Sequence, residues 1–588
     1  MDLNLVDDRH DVPAVTESEG DVSATADAAR VADPSADDSA WWRTAVIYQI
    51  YIRSFADANG DGVGDLAGVR AHLGYLKALG VDAIWFNPWY VSPLADGGYD
   101  VQDYRQINPV FGTLDEAEAL IREALALGIR TIIDVVPNHI SEQHPWFQAA
   151  LLAEPGSPER ERFWFRPGRG DGSEMPNHWV SNFSGDTWTR TTNPDGTPGE
   201  WYLHLFSPEQ PDLNWDHPDV RREHEDILRF WFDRGVAGVR IDSAALLVKD
   251  PDLPEVPDHP RPGEHPNTDR DELHEIYRGW RAIADGYPGT RVLVGEIWLP
   301  DIDRFAKYLR PDELHTAFNF DFLARPWDAA ELRTSIDATL AAHAPVGAPS
   351  TWVLSNHDVT RPVTRYGRAD TSFAFAAKRA GTPTDLALGQ RRARAAALLT
   401  AALPGSLYIY QGDELGLPEV EDIPADRLED PMHFRSGGVD PGRDGCRVPL
   451  PWHGQSPPFG FSPERTADGR PSAPTWLPQP TDWVARTVEA EQSDPSSMLW
   501  LYTQALRLRR ESGSLRNGGF RWLDVASDVL AFCRGNDLVS VTNISAEPIA
   551  LPDHIGILLS SSPLERGLLP QDSTVWLRTQ PQPRERRA

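Results

Sequence analysis

The sequence predicts an α/β chain folded as a (β/α)8 TIM barrel, with a loop-rich domain inserted after the third strand and an antiparallel β-domain at the C-terminus. Three observations predict it. Eight short runs of β-branched and aromatic residues alternate with amphipathic helical stretches, which implies parallel pairing through right-handed crossovers. Two long interruptions, residues 139–211 and 415–485, follow the third and eighth strands, at the end of a barrel where active sites are built. From about residue 511 the helical pattern gives way to short alternating runs and turns, as in "RWLDVASDVLAFCRGNDLVSVTNIS".

The elements follow in order. Residues 1–40 are rich in Asp, Glu, Ala and Ser, with Arg9 and Arg30 as their basic residues, and read as a disordered tail. Order is expected from Trp41. "VIYQIYI" (46–52) is the first strand, followed by a helix over 66–80. "AIWFNP" (83–88) and a helix over 115–128 form the second unit, and "TIIDVV" (131–136) opens the third. After the first interruption a helix over 219–235 leads to "VAGVRID" (236–242), and one over 271–286 leads to "RVLVGEI" (291–297). "HTAFNFDF" (315–322), "TWVLSNH" (351–357) and "SLYIYQG" (406–412) complete the series, with a helix over 389–405 ending at Pro-Gly between the last two. The implied divisions are a tail (1–40), barrel (41–138), inserted domain (139–211), barrel (212–510) and β-domain (511–588). A doubly wound open sheet is the alternative, weakened by the lack of a glycine-rich phosphate turn after the first strand.

The 588 residues carry 88 acidic and 56 basic side chains, a net charge of −32. Such a surface repels phosphate backbones and anionic membranes, so nucleic acid is not an expected partner. The two cysteines, Cys446 and Cys533, have no metal-type spacing and imply no disulfide framework. The N-terminus has neither the basic start nor the apolar core of a signal peptide, and no apolar run is long enough to span a membrane. A cytoplasmic location is the expectation.

Three carboxylates stand at predicted strand ends: Asp242 after "GVRI", Glu296 after "VLVG" and Asp358 after "LSNH". Any one of them could be a helix cap. Three, each beside another polar residue, point to chemistry. Arg240 lies two residues before Asp242 and so on the same side of the strand, where a guanidinium favours the ionised form a nucleophile needs. Glu296 sits among other acids with Ile297 and Trp298 beside it, and like charge with burial raises a carboxyl toward the range of a general acid. A retaining glycosidase needs this pair, with carboxyls about 5–5.5 Å apart.

The segments "GYDVQDY" (98–104), "DVVPNH" (134–139), "QPDLNW" (210–215), "GVRIDSA" (238–244), "GEIW" (295–298), "SNHD" (355–358), "GDELGLP" (412–418) and "GRDGCRVPLPW" (442–452) occur in the order and spacing of one family. From about residue 41 onward the chain resembles the α-amylase family of glycoside hydrolases, glycoside hydrolase family 13, in its α-glucosidase and oligo-1,6-glucosidase branch. The resemblance implies Asp242 as nucleophile, Glu296 as acid/base and Asp358 as stabiliser of the transition state. It implies that His139 and His357 bind glucose hydroxyls beside Arg240. Asp100 and Arg443 would clamp the non-reducing end, so that single glucose units are removed. Tyr99, Tyr104 and Phe183 are further candidates for stacking or hydrogen bonding. Ser243 follows the nucleophile, where the branch has Val with α-1,6 cleavage and Thr or Ala with α-1,4 cleavage. Serine is near threonine in shape, which favours α-1,4 bonds as in maltose. His178 stands where relatives commonly have Asn. Alternatives are a glucosyl-transferring or isomerising relative of the trehalose synthase or sucrose isomerase type, an α-1,6-preferring enzyme, and a non-catalytic scaffold on the same barrel. The three retained acids argue against the scaffold.

"DANGDGVGD" (57–65) places Asp57, Asn59, Asp61, the Val63 carbonyl and Asp65 at calcium-loop spacing. The twelfth position is Gly68 rather than a bidentate Glu, and a strand precedes the loop, so an EF-hand is not implied. The resembling glucosidases hold a divalent ion in a similar loop. The implied cofactor is structural Ca2+, with Mg2+ as an alternative.

Overall fold

The computed structural model describes residues 40–193 and 195–580. The acidic stretch before Ala40, and the disorder expected of it, lies outside the described residues. Eight strands form one parallel sheet: β1 (Val46–Ile50), β2 (Ala83–Phe86), β3 (Arg130–Val135), β4 (Gly238–Ile241), β5 (Val292–Gly295), β6 (Thr316–Ala317), β7 (Thr351–Val353) and β8 (Ser406–Tyr410). They run side by side as β6-β5-β4-β3-β2-β1-β8-β7, a barrel closed by backbone pairing everywhere but between β6 and β7. That seam is bridged by the hydroxyls of Thr316 and Thr351.

Alternation along the strands fills the barrel. Ile47, Trp85, Ile132, Val294, Val353 and Tyr408 point inward and pack on Phe318 and Phe320, while Tyr48, Ile84 and Ile133 face the surrounding helices. The helices have ordinary local causes. Thr113 and Glu116 form a reciprocal capping box at the start of Leu114–Ala126, and Asp385 caps Leu386–Ala402. The strand predicted over 315–322 is shorter, because Asn319 caps a new helix, Phe320–Ala324, by accepting from the Phe322 N–H at 3.0 Å.

The segment after β3 builds its own three-stranded antiparallel sheet from Phe165–Arg166, Pro198–Leu203 and Trp188–Thr192. It packs round Trp164, Trp179 and Trp188. At the C-terminus β9 (Phe520–Trp522), β10 (Val529–Arg534), β11 (Leu538–Asn543), β12 (Gly556–Ser560) and β13 (Ser573–Arg578) form an antiparallel sheet in the order β9-β10-β11-β13-β12. It docks on helix Leu386–Ala402, where Thr574 and Trp576 donate to the Ala395 and Leu398 carbonyls at 2.9 and 3.1 Å. Among the described residues no helix is long and apolar enough to cross a membrane.

Candidate active site

Strand register brings the candidate acids together. Asp134 of β3 stands opposite Arg240 of β4, and Ile241 stands opposite Gly295 of β5. Asp242 and Glu296 are the next residue on each strand, so they leave the barrel rim as neighbours. Gly238 lets β4 lie close to β5, since a Cβ there would come within 2.6 Å of the Val292 carbonyl oxygen.

Arg240, 1% exposed, ties three carboxyls to one guanidinium. Its Nη1 donates to Asp134 at 3.0 Å and to Asp242 at 2.7 Å, and its Nη2 is ion-paired with Glu296 at 2.7 Å. The guanidinium sits above the Trp85 ring, 5.3 Å from its centroid. Glu296 also accepts from the Ser243 backbone N–H at 3.0 Å and from the Trp298 indole at 3.2 Å. Burial raises Glu296 to about 7, helped by Asp242 and Asp358 and opposed by Arg240. Burial likewise raises Asp134 against the pull of Arg240. Ser243 holds a left-handed φ of 48°, an uncommon conformation for a non-glycine residue and a cost of about 1–3 kcal/mol located next to Asp242.

Asp358 is in a different electrostatic setting. Burial opposes its ionisation, but the guanidiniums of Arg443, Arg447 and Arg240 prevail and hold it well below the usual carboxylate range. Arg443 Nη1 and Arg447 Nη2 each donate to it at 3.0 Å. His357 is buried and neutral: burial drives its pKa well below the ordinary value. Its Nδ1 accepts from the Gln49 amide at 2.7 Å, and its Nε2 lies 2.7 Å from the Tyr99 hydroxyl. That hydroxyl donates to Asp134 at 2.9 Å. These partners assign the proton to Nε2. Tyr99 lies parallel to the His357 ring, centroids 5.3 Å apart.

The predicted site residues divide as follows. Asp242, Glu296, Asp358, His139, His357, Phe183 and Arg443 line one cavity of about 330 Å3, with Tyr99, Ser243 and Trp298. Arg240 lies beneath it. Two predictions are corrected. Asp100 is fully buried and accepts from Ser92, Ala95 N–H and Asp96 N–H at 2.9, 3.0 and 3.1 Å, so it shapes its loop instead of facing sugar. The acid that meets Arg443 is Asp96, which accepts from it at 2.6 Å and lines the cavity. The two acids are four residues apart, and the left-handed turn at Gly97 and Gly98 (φ 59° and 110°) separates their directions. Tyr104 is buried behind β3, its hydroxyl spent on the Val136 carbonyl. His178 faces outward to Glu255 and Arg169, each at 2.8 Å, while Asn182 and Phe183 of the same segment reach the cavity.

Sequence reasoning missed Asp96, Asp134, Arg447 and Asp430. Asp430 accepts from Arg443 Nε at 2.7 Å and from Nη2 at 2.9 Å, fixing the guanidinium that reaches Asp96 and Asp358. Asp430, Arg443 and Arg447 all lie in the excursion after β8, far in sequence from the acids they orient.

The loop over 57–65 is tied by its own side chains. Asp57 accepts from the N–H groups of Asn59, Gly60 and Gly62 at 3.0, 2.6 and 2.9 Å. Asp61 accepts from Val63 N–H at 2.9 Å, and Asp65 caps the next helix through Gly68 N–H at 2.6 Å. The donor set is all hard oxygen, which suits Ca2+ or Mg2+ in chemistry. In the fold described, the carboxylates turn to backbone N–H groups, and among the described residues no three acids, histidines or cysteines converge as a metal site. The loop also holds the segment after β8: Ala473 and Trp476 N–H donate to the Gly60 and Gly62 carbonyls at 2.8 and 3.0 Å.

Glu296 must be protonated to act as an acid. With its pKa raised to about 7, kcat/KM is expected to fall as pH rises through that value, with a slope of one proton. A pH–rate profile checks this. An alkaline limb that persists unchanged in Glu296→Gln would assign it to another group.

Comparison with known proteins agrees with this geometry. Residues 49–518 match the family model described as alpha amylase, catalytic domain. The chain is 34% identical to a probable alpha-glucosidase of Rhizobium meliloti (strain 1021) over 85% of its length and 89% of that protein. It is 34% identical to an oligo-1,6-glucosidase of Parageobacillus thermoglucosidasius over 88% of its length and 92% of that protein. Among solved structures, the alpha-glucosyl transfer enzyme XgtA superposes with a TM-score of 0.79 at 34% identity, covering 92% of this chain and 99% of that one. The trehalulose synthase MutB from Pseudomonas mesoacidophila MX-45 superposes with a TM-score of 0.78 at 31% identity, over 92% and 99%. The chain belongs to the alpha-amylase family of glycoside hydrolases, in its α-glucosidase and oligo-1,6-glucosidase branch.

Proposed function

We propose that the protein is a retaining, exo-acting α-glucosidase that releases glucose from the non-reducing end of maltose and short α-glucosides, with α-1,4 bonds preferred. The observation that carries the reading is the pair of carboxyls, Asp242 and Glu296, held on the two terminal nitrogens of Arg240. Sharing one guanidinium makes the two acids close neighbours at the cavity floor, which supports the short carboxyl separation of a covalent, retaining route over direct inversion. Asp242 attacks the anomeric carbon as Glu296 gives its proton to the departing glycosidic oxygen. A water then loses its proton to Glu296 and releases glucose with its α configuration restored. Asp358, kept ionised by Arg443 and Arg447, accepts from ring hydroxyls and balances the positive charge that develops at the anomeric carbon. His139 and His357 complete the hydroxyl contacts from the cavity wall. The Asp96–Arg443 pair supports the exo reading, because an ion pair in the cavity wall would cap a pocket sized for a single sugar end.

Product analysis on maltose, isomaltose and sucrose tests the proposal. Rapid release of α-glucose from maltose is the expected outcome. Preference for isomaltose would overturn the linkage inferred from Ser243. A new disaccharide as main product would move the protein to glucosyl transfer, the activity in the name of the alpha-glucosyl transfer enzyme XgtA.

The proposal includes a structural Ca2+ in the 57–65 loop, drawing on Asp57, Asn59, Asp61, Asp65 and the Val63 carbonyl, with Mg2+ as a weaker occupant. Calcium would offset most of the charge of the three carboxylates and tighten the clasp between this loop and residues 473–476, leaving the chemistry to the acids above. Adding millimolar Ca2+ to chelator-treated protein is expected to raise the melting temperature by several degrees, and an Asp57→Ala/Asp61→Ala variant to lose the rise. An equal rise in both would place the ion elsewhere.

A further inference from the structure

At the opposite end of the barrel, round the N-terminal ends of the strands, two cavities of about 270 and 640 Å3 share Trp41, Thr44 and Arg516. The smaller is walled by Arg130, Arg509, Arg510 and Arg516, with Asp82 as its one lining acid among the described residues. Asp82 is engaged, its Oδ2 accepting from Val46 N–H at 2.9 Å. Four guanidiniums round one small cavity are a marked departure in a chain of net charge −32.

Arg509 and Arg534 have a structural duty that explains part of this. Arg509, 2% exposed, donates through Nη1 to the Ala401 and Leu403 carbonyls at 2.7 and 3.2 Å, at the C-terminus of helix Leu386–Ala402. Arg534, 1% exposed and lining the larger cavity, donates to the Ala402 carbonyl and to that of Leu515 at 2.8 Å. Helix-end carbonyls favour cations and offset part of each charge. They do not account for the Nε of either residue, which is buried without a hydrogen-bond partner. Nor do they account for Arg510 and Arg516, which are exposed on the same wall. Among the described residues, none of Arg509, Arg510, Arg516 and Arg534 is ion-paired with a carboxylate. Burial draws Arg509 down to about 10, with Asp82 pulling the other way, and Arg534 down to about 9, with Arg509 adding to the fall. Gly80, at φ +99°, makes room for Arg510: a Cβ there would stand 2.1 Å from its Nη2.

We propose that the cavity between Arg130, Arg509, Arg510 and Arg516 binds a small multivalent oxyanion of the phosphate class. Guanidiniums pair with phosphate oxygens through short, charge-assisted bonds, and the partly buried floor limits screening by salt. Free phosphate and the phosphate group of a small ester present the same chemistry, and titration separates them. Isothermal titration calorimetry of the full chain with inorganic phosphate and with glycerol 3-phosphate, against sodium chloride at equal ionic strength, is expected to show saturable one-to-one binding. The tighter of the two identifies the source. The Arg510→Ala/Arg516→Ala variant removes exposed side chains only, so its melting temperature and glucosidase turnover should stay near wild type while its Kd rises at least tenfold. Heat no greater than the chloride control for both probes would overturn the proposal. Binding undiminished in the double variant would overturn it equally.

Discussion

Asp242→Asn is expected to lower kcat/KM on α-glucosides by roughly 10^4-fold or more, the scale on which a covalent catalytic group acts with its partners. On the proposed mechanism the amide cannot attack the anomeric carbon, so no glucosyl-enzyme is expected to form. The substitution changes one atom type and little else. The remaining oxygen can still accept from Arg240 Nη1, which donates to Asp242 at 2.7 Å in the wild-type protein. Melting temperature should therefore move by only a few degrees while turnover disappears. Steady-state rates and thermal unfolding on the same preparation separate the two effects. Residual activity within tenfold of wild type, in a well-folded variant, would remove Asp242 from the nucleophile's role.

Arg240→Leu has the second large effect, and it falls on folding as well as rate. The wild-type guanidinium is in contact with Asp134, Asp242 and Glu296 in a region where Asp134 is fully buried. Removing one partner of a buried ion pair costs about 3–5 kcal/mol, because the charge left behind cannot be rehydrated. The variant can reduce that cost by taking up protons. Without the guanidinium, the folded-state pKa values of Asp134 and Glu296, already raised by burial, rise further above their unfolded values. A group with a raised folded pKa contributes stability that is present at low pH and lost as pH climbs through that pKa. The stability deficit against wild type should therefore be smaller at pH 5 than at pH 8. Urea unfolding at both values measures it. A deficit independent of pH would mean that lost packing against Trp85, not lost charge, dominates.

The barrel was legible because its signal is periodic and local: each strand reads as a short apolar run, and each crossover helix reads from its own sequence. Strand ends were less so. β6 shrinks to two residues because the Asn319 side chain starts a helix inside a run that otherwise reads as strand. Asp242, Glu296 and Asp358 were legible as a set: one acid at the end of an apolar run can be a helix cap, but three, each beside another polar residue, are not explained that way together. Asp96 and Asp100 were not distinguishable, since the same short stretch contains both and only the turn at Gly97–Gly98 decides which one faces the cavity. Asp430, Arg443 and Arg447 work as a set that folding assembles, and no local pattern links Asp430 to Asp96, 334 residues away.

The contact between Ser243 and Glu296 is made by a backbone N–H, at 3.0 Å. The hold on Glu296 is thereby independent of the side chain at position 243. Any residue other than proline that tolerates the left-handed turn keeps the acid in place, while its side chain remains free to vary against the sugar. Substitutions at this position that tolerate the turn are therefore expected to keep the hydrogen bond to Glu296 whatever side chain they bring to the cavity.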